Sequence, residues 1–215
     1  MWYALAKYAA IGPILRIVTR PQVVGREHLP RNGPVILAAN HHAFIDSLLL
    51  CLISRRRVTF VAKSEYFERP GAIGAATRWF FSAMGQIPID RRGGAHSDSA
   101  LGAAIDTLTR GEVWAIHPEG TRTPGDAVYQ GHTGVVRVAQ ATGAPIIPIG
   151  LRGSARVNPP HTRIWRPHRV AVVIGRPVEC EDIANSDPRA ATDRIMREVA
   201  VLAGQPYVDT YASRP

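Results

Sequence analysis

Short apolar runs rich in β-branched residues alternate along this chain with longer segments of helical period, and that alternation restricts the fold more than any other feature. The runs are Val35 to Ala39, Val58 to Ala62, Val113 to Ile116, Ile146 to Ile149 and Val170 to Ile174, with a shorter one at Ile87 to Ile89. Between them lie Ser47 to Ile53, Gly71 to Met84, Ser97 to Thr109 and Thr133 to Ala141, and Asp187 to Ala203 closes the series. A short continuous apolar run reads as a strand buried on both faces, and such a strand needs helices above and below it. The expectation is an α/β fold with a mostly parallel, mixed central sheet flanked by helices. Ser97 to Arg110 illustrates the pattern: Leu101, Ala104, Ile105 and Leu108 share one stripe, and Gly111 ends the helix before the next strand. Arg152 to Arg169, rich in Pro, Arg and His, reads as the longest loop, and no internal repeat or low-complexity tract interrupts the series. With 215 residues there is enough chain for one such domain, over residues 21–215, preceded by a distinct segment at residues 1–20.

That first segment, from Met1 to Val18, is apolar but broken by Lys7, Pro13 and Arg16, and falls short of the ~20 uninterrupted residues of a spanning helix. A secretory signal places its positive charge ahead of the apolar run, whereas here Trp2 and Tyr3 lead. Aromatics interleaved with cations describe an amphipathic, membrane-associating helix at the interface, with Lys7, Arg16 and Arg20 toward anionic headgroups, each contributing ~1 kcal/mol there. A helix packed on the protein's own core fits the same letters.

Charge narrows the partners. Lys and Arg number 26 against 17 Asp and Glu, a net charge of +9, so an anionic partner is expected: nucleic acid, a membrane surface or a phosphorylated small molecule. Only Lys7 and Lys63 are lysines, which marks each as a candidate for needing a compact ammonium. Cys51 and Cys180 lie in no CxxC pair and no Cys/His cluster, so no metal site is expected.

In an open α/β sheet ligands collect beyond the carboxyl ends of the strands, and here those positions are polar. After Val35 to Ala39 comes Asn40-His41-His42-Ala43-Phe44-Ile45-Asp46. On one continuous helix, His41 and Asp46 would point about 140° apart. Across a turn, with His41 ending the strand and Asp46 opening the helix, the carboxylate can take the imidazole proton and raise the basicity of the other nitrogen. Asp46 as a plain helix cap beside a surface His41 is the other reading, and His42, four residues from Asp46, is a weaker candidate base. Lys63 follows the second run, Asp90-Arg91-Arg92 the run Ile87 to Ile89, and His117-Pro118-Glu119-Gly120-Thr121-Arg122 the run Val113 to Ile116. Lys63, Arg91 and Arg122 are candidate anion contacts, with Gly120 admitting a close backbone approach; solvated loop charges are the alternative.

These blocks, in this order, resemble the glycerolipid acyltransferase family, the PlsC-like 1-acylglycerol-3-phosphate and glycerol-3-phosphate acyltransferases. Asn40-His41-x4-Asp46 resembles the family's first block, Gly85-Gln86-Ile87-Pro88-Ile89-Asp90-Arg91 the second, Pro118-Glu119-Gly120-Thr121-Arg122 the third and Ala144-Pro145-Ile146-Ile147-Pro148-Ile149 the fourth, and the closing Gly204-Gln205-Pro206-Tyr207 is also similar. The resemblance implies a glycerol-3-phosphate acyltransferase-like fold and transfer of a fatty acyl group from acyl-CoA, or from an acyl carrier protein, to a hydroxyl of lysophosphatidate or glycerol 3-phosphate in phospholipid biosynthesis. It implies His41 as the base and Asp46 as its orienting group, without an acyl-enzyme. It further implies acceptor contacts at Lys63, Arg91, Glu119, Gly120, Thr121 and Arg122, no cofactor beyond the acyl donor, and a peripheral, monotopic place on the cytoplasmic face of the cell membrane. Trp79, Phe80, Phe81 and Met84 line an acyl-chain groove or pack as core.

Two residues depart from the family pattern: His117 stands where the third block usually opens with Phe, and His132 where a Lys is common. The second bears on acceptor preference, and a lysophospholipid, glycolipid or lipoamino acid acceptor would keep the same chemistry. A non-catalytic basic module for membrane or nucleic acid fits the charge, but the chain lacks the aromatic-basic interleaving of nucleic-acid binders, and none is expected as a partner. A metal hydrolase built on His41, His42 and Asp46 lacks further ligands.

Overall fold

The computed structural model describes residues 2–63, 70–71, 74–75, 77–79, 86–89, 96–123, 126–159 and 165–213. Strands β1 (Gln22–Val24), β2 (Val35–Ala39), β3 (Val58–Lys63), β4 (Gln86–Ile89), β5 (Val113–Ile116), β7 (Ile146–Arg152) and β8 (Ala171–Ile174) form one sheet in the order β1-β8-β7-β2-β5-β3-β4. Neighbours run parallel except β7 with β8. Between those two strands the described residues hold only the short helix α6 (Ser154–Val157), not the long crossover that a parallel return requires. The sheet is therefore the mostly parallel, mixed one that the alternation implies. A separate two-stranded ribbon pairs β6 (Val128–Tyr129) with β9 (Tyr207–Val208).

Helices cover both faces. Val35, Leu37 and Ala39 of β2 point toward α3 (Ile45–Ile53), whose residues from Leu48 to Ile53 are all buried. Ile36 and Ala38, one pleat out of phase, point to the other face. There they meet Ala104 and Leu108 of α4 (His96–Thr109), Val135 and Ala139 of α5 (Gly134–Thr142), and Ile195 of α7 (Pro188–Ala203). Strand β2 thus carries no polar side chain because neither of its faces meets water. Helix α7 begins on Asp187, whose carboxylate accepts the Ala190 amide at 2.9 Å. It lies so close to β7 that a Cβ on Gly150 would stand 2.2 Å from the Ala203 nitrogen, which only glycine permits.

Of the helix expected over Gly71 to Met84, residues 71, 74–75 and 77–79 are described and are helical. Phe80, Phe81 and Met84 lie outside the described residues. Trp79 is half exposed, so core packing does not account for it.

The amino-terminal segment is helical: α1 (Trp2–Leu5), a π-helical turn (Ala6–Ala10) and α2 (Ile11–Thr19). Lys7 does not lie where that expectation puts it. Lys7 is 4 % exposed; its Nζ donates to the Ser54 carbonyl and sits 5.3 Å from the Tyr8 ring centre, so it faces inward and not toward a lipid surface. Burial, with repulsion from Arg16 and Arg26 added, holds its ammonium below the ordinary lysine range. The outward side of the same segment carries Leu5, Tyr8, Ile14 and Ile17, each at least half exposed. Among the described residues no helix is long and apolar enough to cross a membrane.

Candidate active site

Strand β2 lies between β7 and β5. From β2 the chain leaves by α3 toward β3, and from β5 it leaves by α5 toward β7. The two connections leave to opposite faces of the sheet, α3 on one and α5 on the other, so the carboxyl ends of β2 and β5 frame a crevice. The two blocks singled out in the sequence, Asn40 to Asp46 and His117 to Arg122, are the turns at that crevice.

His41 Nδ1 is 3.1 Å from Asp46 Oδ2, the carboxylate fully buried and the imidazole 19 % exposed. The turn between them is what lets residues five apart meet. The same Oδ2 accepts the backbone amides of His42 and Ala43, both at 2.7 Å. These two amides belong to the turn between β2 and α3, where neither strand nor helix supplies an acceptor, and the Asp46 carboxylate in the first turn of α3 reaches back to them. Asp46 is therefore the imidazole's partner and the brace of the preceding turn; it is not the cap of α3, whose cap position is Phe44 with no side-chain cap bond. Burial opposes its ionisation, but the hydrogen bond and charge of His41, the neighbouring His117 and the Ala43 amide outweigh it and hold the carboxyl below its ordinary value. An ionised carboxylate at Nδ1 requires Nδ1–H on His41, so Nε2 bears the lone pair.

The turn after β5 is tied to the turn after β2. Glu119 is 2 % exposed; its Oε2 accepts the His41 amide at 2.7 Å and its Oε1 the Tyr129 amide at 2.9 Å. The Thr123 amide in turn donates to the His41 carbonyl at 2.7 Å. Each carboxylate oxygen of Glu119, the residue that the family resemblance makes an acceptor contact, accepts one backbone amide here. Burial pushes Glu119 up to about 7, with the Tyr129 and His41 amides pulling the other way. Gly120, Thr121 and Arg122 lie on the outer side of this turn, with Gly120 and Arg122 exposed. Gly120 has φ 70°, and a Cβ there would stand 2.9 Å from the His132 ring, which itself stacks on Tyr211 at 4.8 Å. Lys63 ends β3; its side chain and Arg91 lie outside the described residues.

Asn40 and Gln205 carried no functional assignment in the sequence. Asn40 exchanges two hydrogen bonds of 2.8 Å with the Leu151 backbone and donates to Gln205 Oε1 at 3.1 Å. His42 Nε2 lies 3.0 Å from that same oxygen. An amide oxygen only accepts, so His42 carries Nε2–H; its Nδ1 lies 3.0 Å from the oxygen of the Thr123 hydroxyl, which donates to the His41 carbonyl at 3.0 Å. His42 is thereby turned into a buried network and away from the crevice. His117, the first departure from the family pattern, lies against His41, with ring centres 4.0 Å apart and planes 8° from parallel. Burial, reinforced by His41, pushes it down to about 3 against the opposing pull of Asp46 and of the Ala39 and Asn40 carbonyls. Among the described residues no cluster of three or more His, Cys, Asp or Glu could hold a metal ion.

Comparison with known proteins agrees with this geometry. The family model described as Acyltransferase matches residues 20–152. A 1-acyl-sn-glycerol-3-phosphate acyltransferase of Bacillus subtilis (strain 168) is 26 % identical over 180 residues, 82 % of each chain. A chloroplastic 1-acyl-sn-glycerol-3-phosphate acyltransferase of Arabidopsis thaliana is 27 % identical over 83 % of this chain, which spans 47 % of that relative. The crystal structure of the 1-acyl-sn-glycerophosphate acyltransferase PlsC from Thermotoga maritima superposes with a TM-score of 0.70 and 25 % identity, over 88 % of this chain and 74 % of that one. With the first, third and fourth blocks inside the matched span and two of them meeting at one crevice, the chain belongs to the acyltransferase family, as a PlsC-like member.

Proposed function

We propose that this protein transfers a fatty acyl group from acyl-CoA to the free hydroxyl of lysophosphatidate (1-acylglycerol 3-phosphate). The observation that carries the reading is the His41–Asp46 pair, a partly exposed imidazole on a fully buried carboxylate at the mouth of the crevice. His41 Nε2 takes the proton of the acceptor hydroxyl as its oxygen attacks the thioester carbonyl. The resulting imidazolium is stabilised by Asp46, and it returns the proton to the departing thiolate as the tetrahedral intermediate collapses. No residue is acylated, so no protein nucleophile is required. General-base catalysis of this kind contributes about 10²- to 10⁴-fold, and positioning of the two substrates adds to it.

Arg122, Thr121 and the exposed backbone at Gly120 are suited to the acceptor phosphate, with Lys63 and Arg91 as further contacts. That the Bacillus and Arabidopsis relatives are 1-acyl-sn-glycerol-3-phosphate acyltransferases supports lysophosphatidate over glycerol 3-phosphate as the acceptor. Acyl carrier protein is the alternative donor. Leu5, Tyr8, Ile14 and Ile17 on the outward side of the amino-terminal segment, with the chain's +9 charge, support a peripheral seat on an anionic membrane at its cytoplasmic face, where acceptor and donor meet.

The test is coenzyme A release from palmitoyl-CoA in detergent micelles, with lysophosphatidate, glycerol 3-phosphate or lysophosphatidylcholine as acceptor, by wild type and His41→Ala. Lysophosphatidate-dependent release that drops about 10²-fold or more in His41→Ala is the expected result. Release indifferent to acceptor, or equal in the variant, overturns the proposal.

A further inference from the structure

His117 is built into the site more firmly than a hydrophobic neighbour of His41 would need to be. Its Nδ1 lies 3.0 Å from the Ala39 carbonyl and 3.1 Å from the Asn40 carbonyl. Carbonyls only accept, so Nδ1 carries the hydrogen and shares it between them. Its Nε2, 3.1 Å from Ser47 Oγ, then accepts the serine hydroxyl. Both ring nitrogens are committed, one to the end of β2 and one to the second residue after Ile45 in α3. The Phe60 ring of β3 closes the far side at 5.8 Å and 24°. The near side is the parallel stack on His41.

We propose that His117 is a positioning residue for acyl transfer: a ring clamped between β2 and α3 against which the His41 imidazole lies flat, so that Nδ1 stays on Asp46 and Nε2 stays toward the acceptor. Rotating His41 about its ring axis breaks the stack and the Asp46 bond together, whereas His117 cannot follow without giving up the bonds to Ala39, Asn40 and Ser47. The two rings also divide the proton unambiguously. Among the described residues, the titratable groups facing His117 are His41 and Asp46; β2 offers it carbonyls, α3 a hydroxyl as well as Asp46, and β3 the Phe60 ring. Two imidazoles face to face accept one proton between them, and the carboxylate is bonded to His41 alone. Burial and the adjacent His41 act in the same sense on His117.

The inference rests on His41 as the base, and its test separates the two. In the folded wild-type protein, imidazole ¹⁵N resonances of His117 are expected to keep the neutral Nδ1–H pattern from pH 5 to 8; a His117 that titrates in that window overturns the proposal, with or without activity. In the acyl-transfer assay, His117→Ala is expected to lower kcat by about 10- to 100-fold with KM unchanged, the size of a small misplacement of the reacting group. His117→Phe keeps a flat ring between His41 and Phe60 and is expected to restore most of that loss, with the acid limb of its pH profile on the wild-type limb. A folded His117→Ala with wild-type kcat overturns the proposal, and so does a displaced limb in His117→Phe, which would make His117 a proton carrier. If His117→Ala does not fold, the resonances and His117→Phe decide. Full activity in His41→Ala with the resonances as expected removes the base, not the placement of His117.

Discussion

The turns after β2 and β5 bury one carboxylate each beneath backbone amides, and the two carboxylates titrate in opposite directions. Asp46 gathers two amides and an imidazole on a single oxygen and stays ionised below the ordinary range. Glu119 gathers two amides, one on each oxygen, and rises to about 7. Burial penalises charge in both; at Asp46 the direct imidazole partner, joined by His117 and the Ala43 amide, reverses the sign. The difference follows the work of each turn. The group that stabilises a forming imidazolium must be an anion throughout, whereas the group that splices two backbones needs its oxygens and not its charge.

Removing the anion is the strongest way to break this comparison. Asp46→Asn keeps the shape but no longer holds Nδ1–H on His41, and kcat is expected to fall by about 10³- to 10⁴-fold. Next comes Glu119→Gln, which has a single acceptor oxygen for two amides. One of the His41 and Tyr129 amides loses its partner, which is expected to cost about 1–3 kcal/mol of stability, with a smaller loss of kcat than in Asp46→Asn. Urea unfolding and the acyl-transfer assay measure the two effects.

Melting curves across pH sharpen the contrast. Glu119 has a folded value near 7 against 4.5 ordinarily, so the native state keeps a proton that the unfolded state releases. Its contribution is fully present below pH 4.5 and is lost as pH rises through 7, so the advantage of wild type over Glu119→Gln is expected to shrink by about 3 kcal/mol across that window. Asp46 behaves in the opposite sense: its value is lowered, so its contribution is present above pH 3.8 and is lost as pH falls further. A gap between wild type and Asp46→Asn that widens toward low pH would contradict this. The smallest effect belongs to Thr123→Val. The hydroxyl lies 3.0 Å from the His41 carbonyl and from His42 Nδ1, and its loss is expected to cost about 1 kcal/mol in urea unfolding.

The central strands were legible in the letters because burial on both faces demands uninterrupted apolar residues. β2 and β5 begin and end where the runs Val35 to Ala39 and Val113 to Ile116 do. β1, β6 and β9 were not legible. They hold two or three residues each and are partly exposed, so edge pairing and not composition makes them strands. At the site, Asn40 to Asp46 and His117 to Arg122 stand out as polar blocks following apolar runs. The letters do not say which of their side chains turn inward. Glu119 reads as a ligand contact next to Arg122, and nothing in its letters says that its oxygens brace the His41 and Tyr129 amides. Gln205 joins Asn40 and His42 from more than 160 positions away, a distance over which spacing carries no information.

What this chain owes to its letters alone is the alternating α/β architecture, the polar residues at the strand ends and the pairing of His41 with Asp46 across a turn. Each follows from local rules: periodicity sets burial, and a strand end followed by a helix start makes room for one hydrogen bond between neighbours in sequence. Tertiary structure decided the rest. It placed the turn after β5 beside the turn after β2, gave Glu119 two amides, spent both nitrogens of His117 on β2 and α3, and buried Lys7 under its own helix. Hydrogen-bond partners and desolvation depend on what approaches through space, and approach is fixed only once the sheet has ordered its strands.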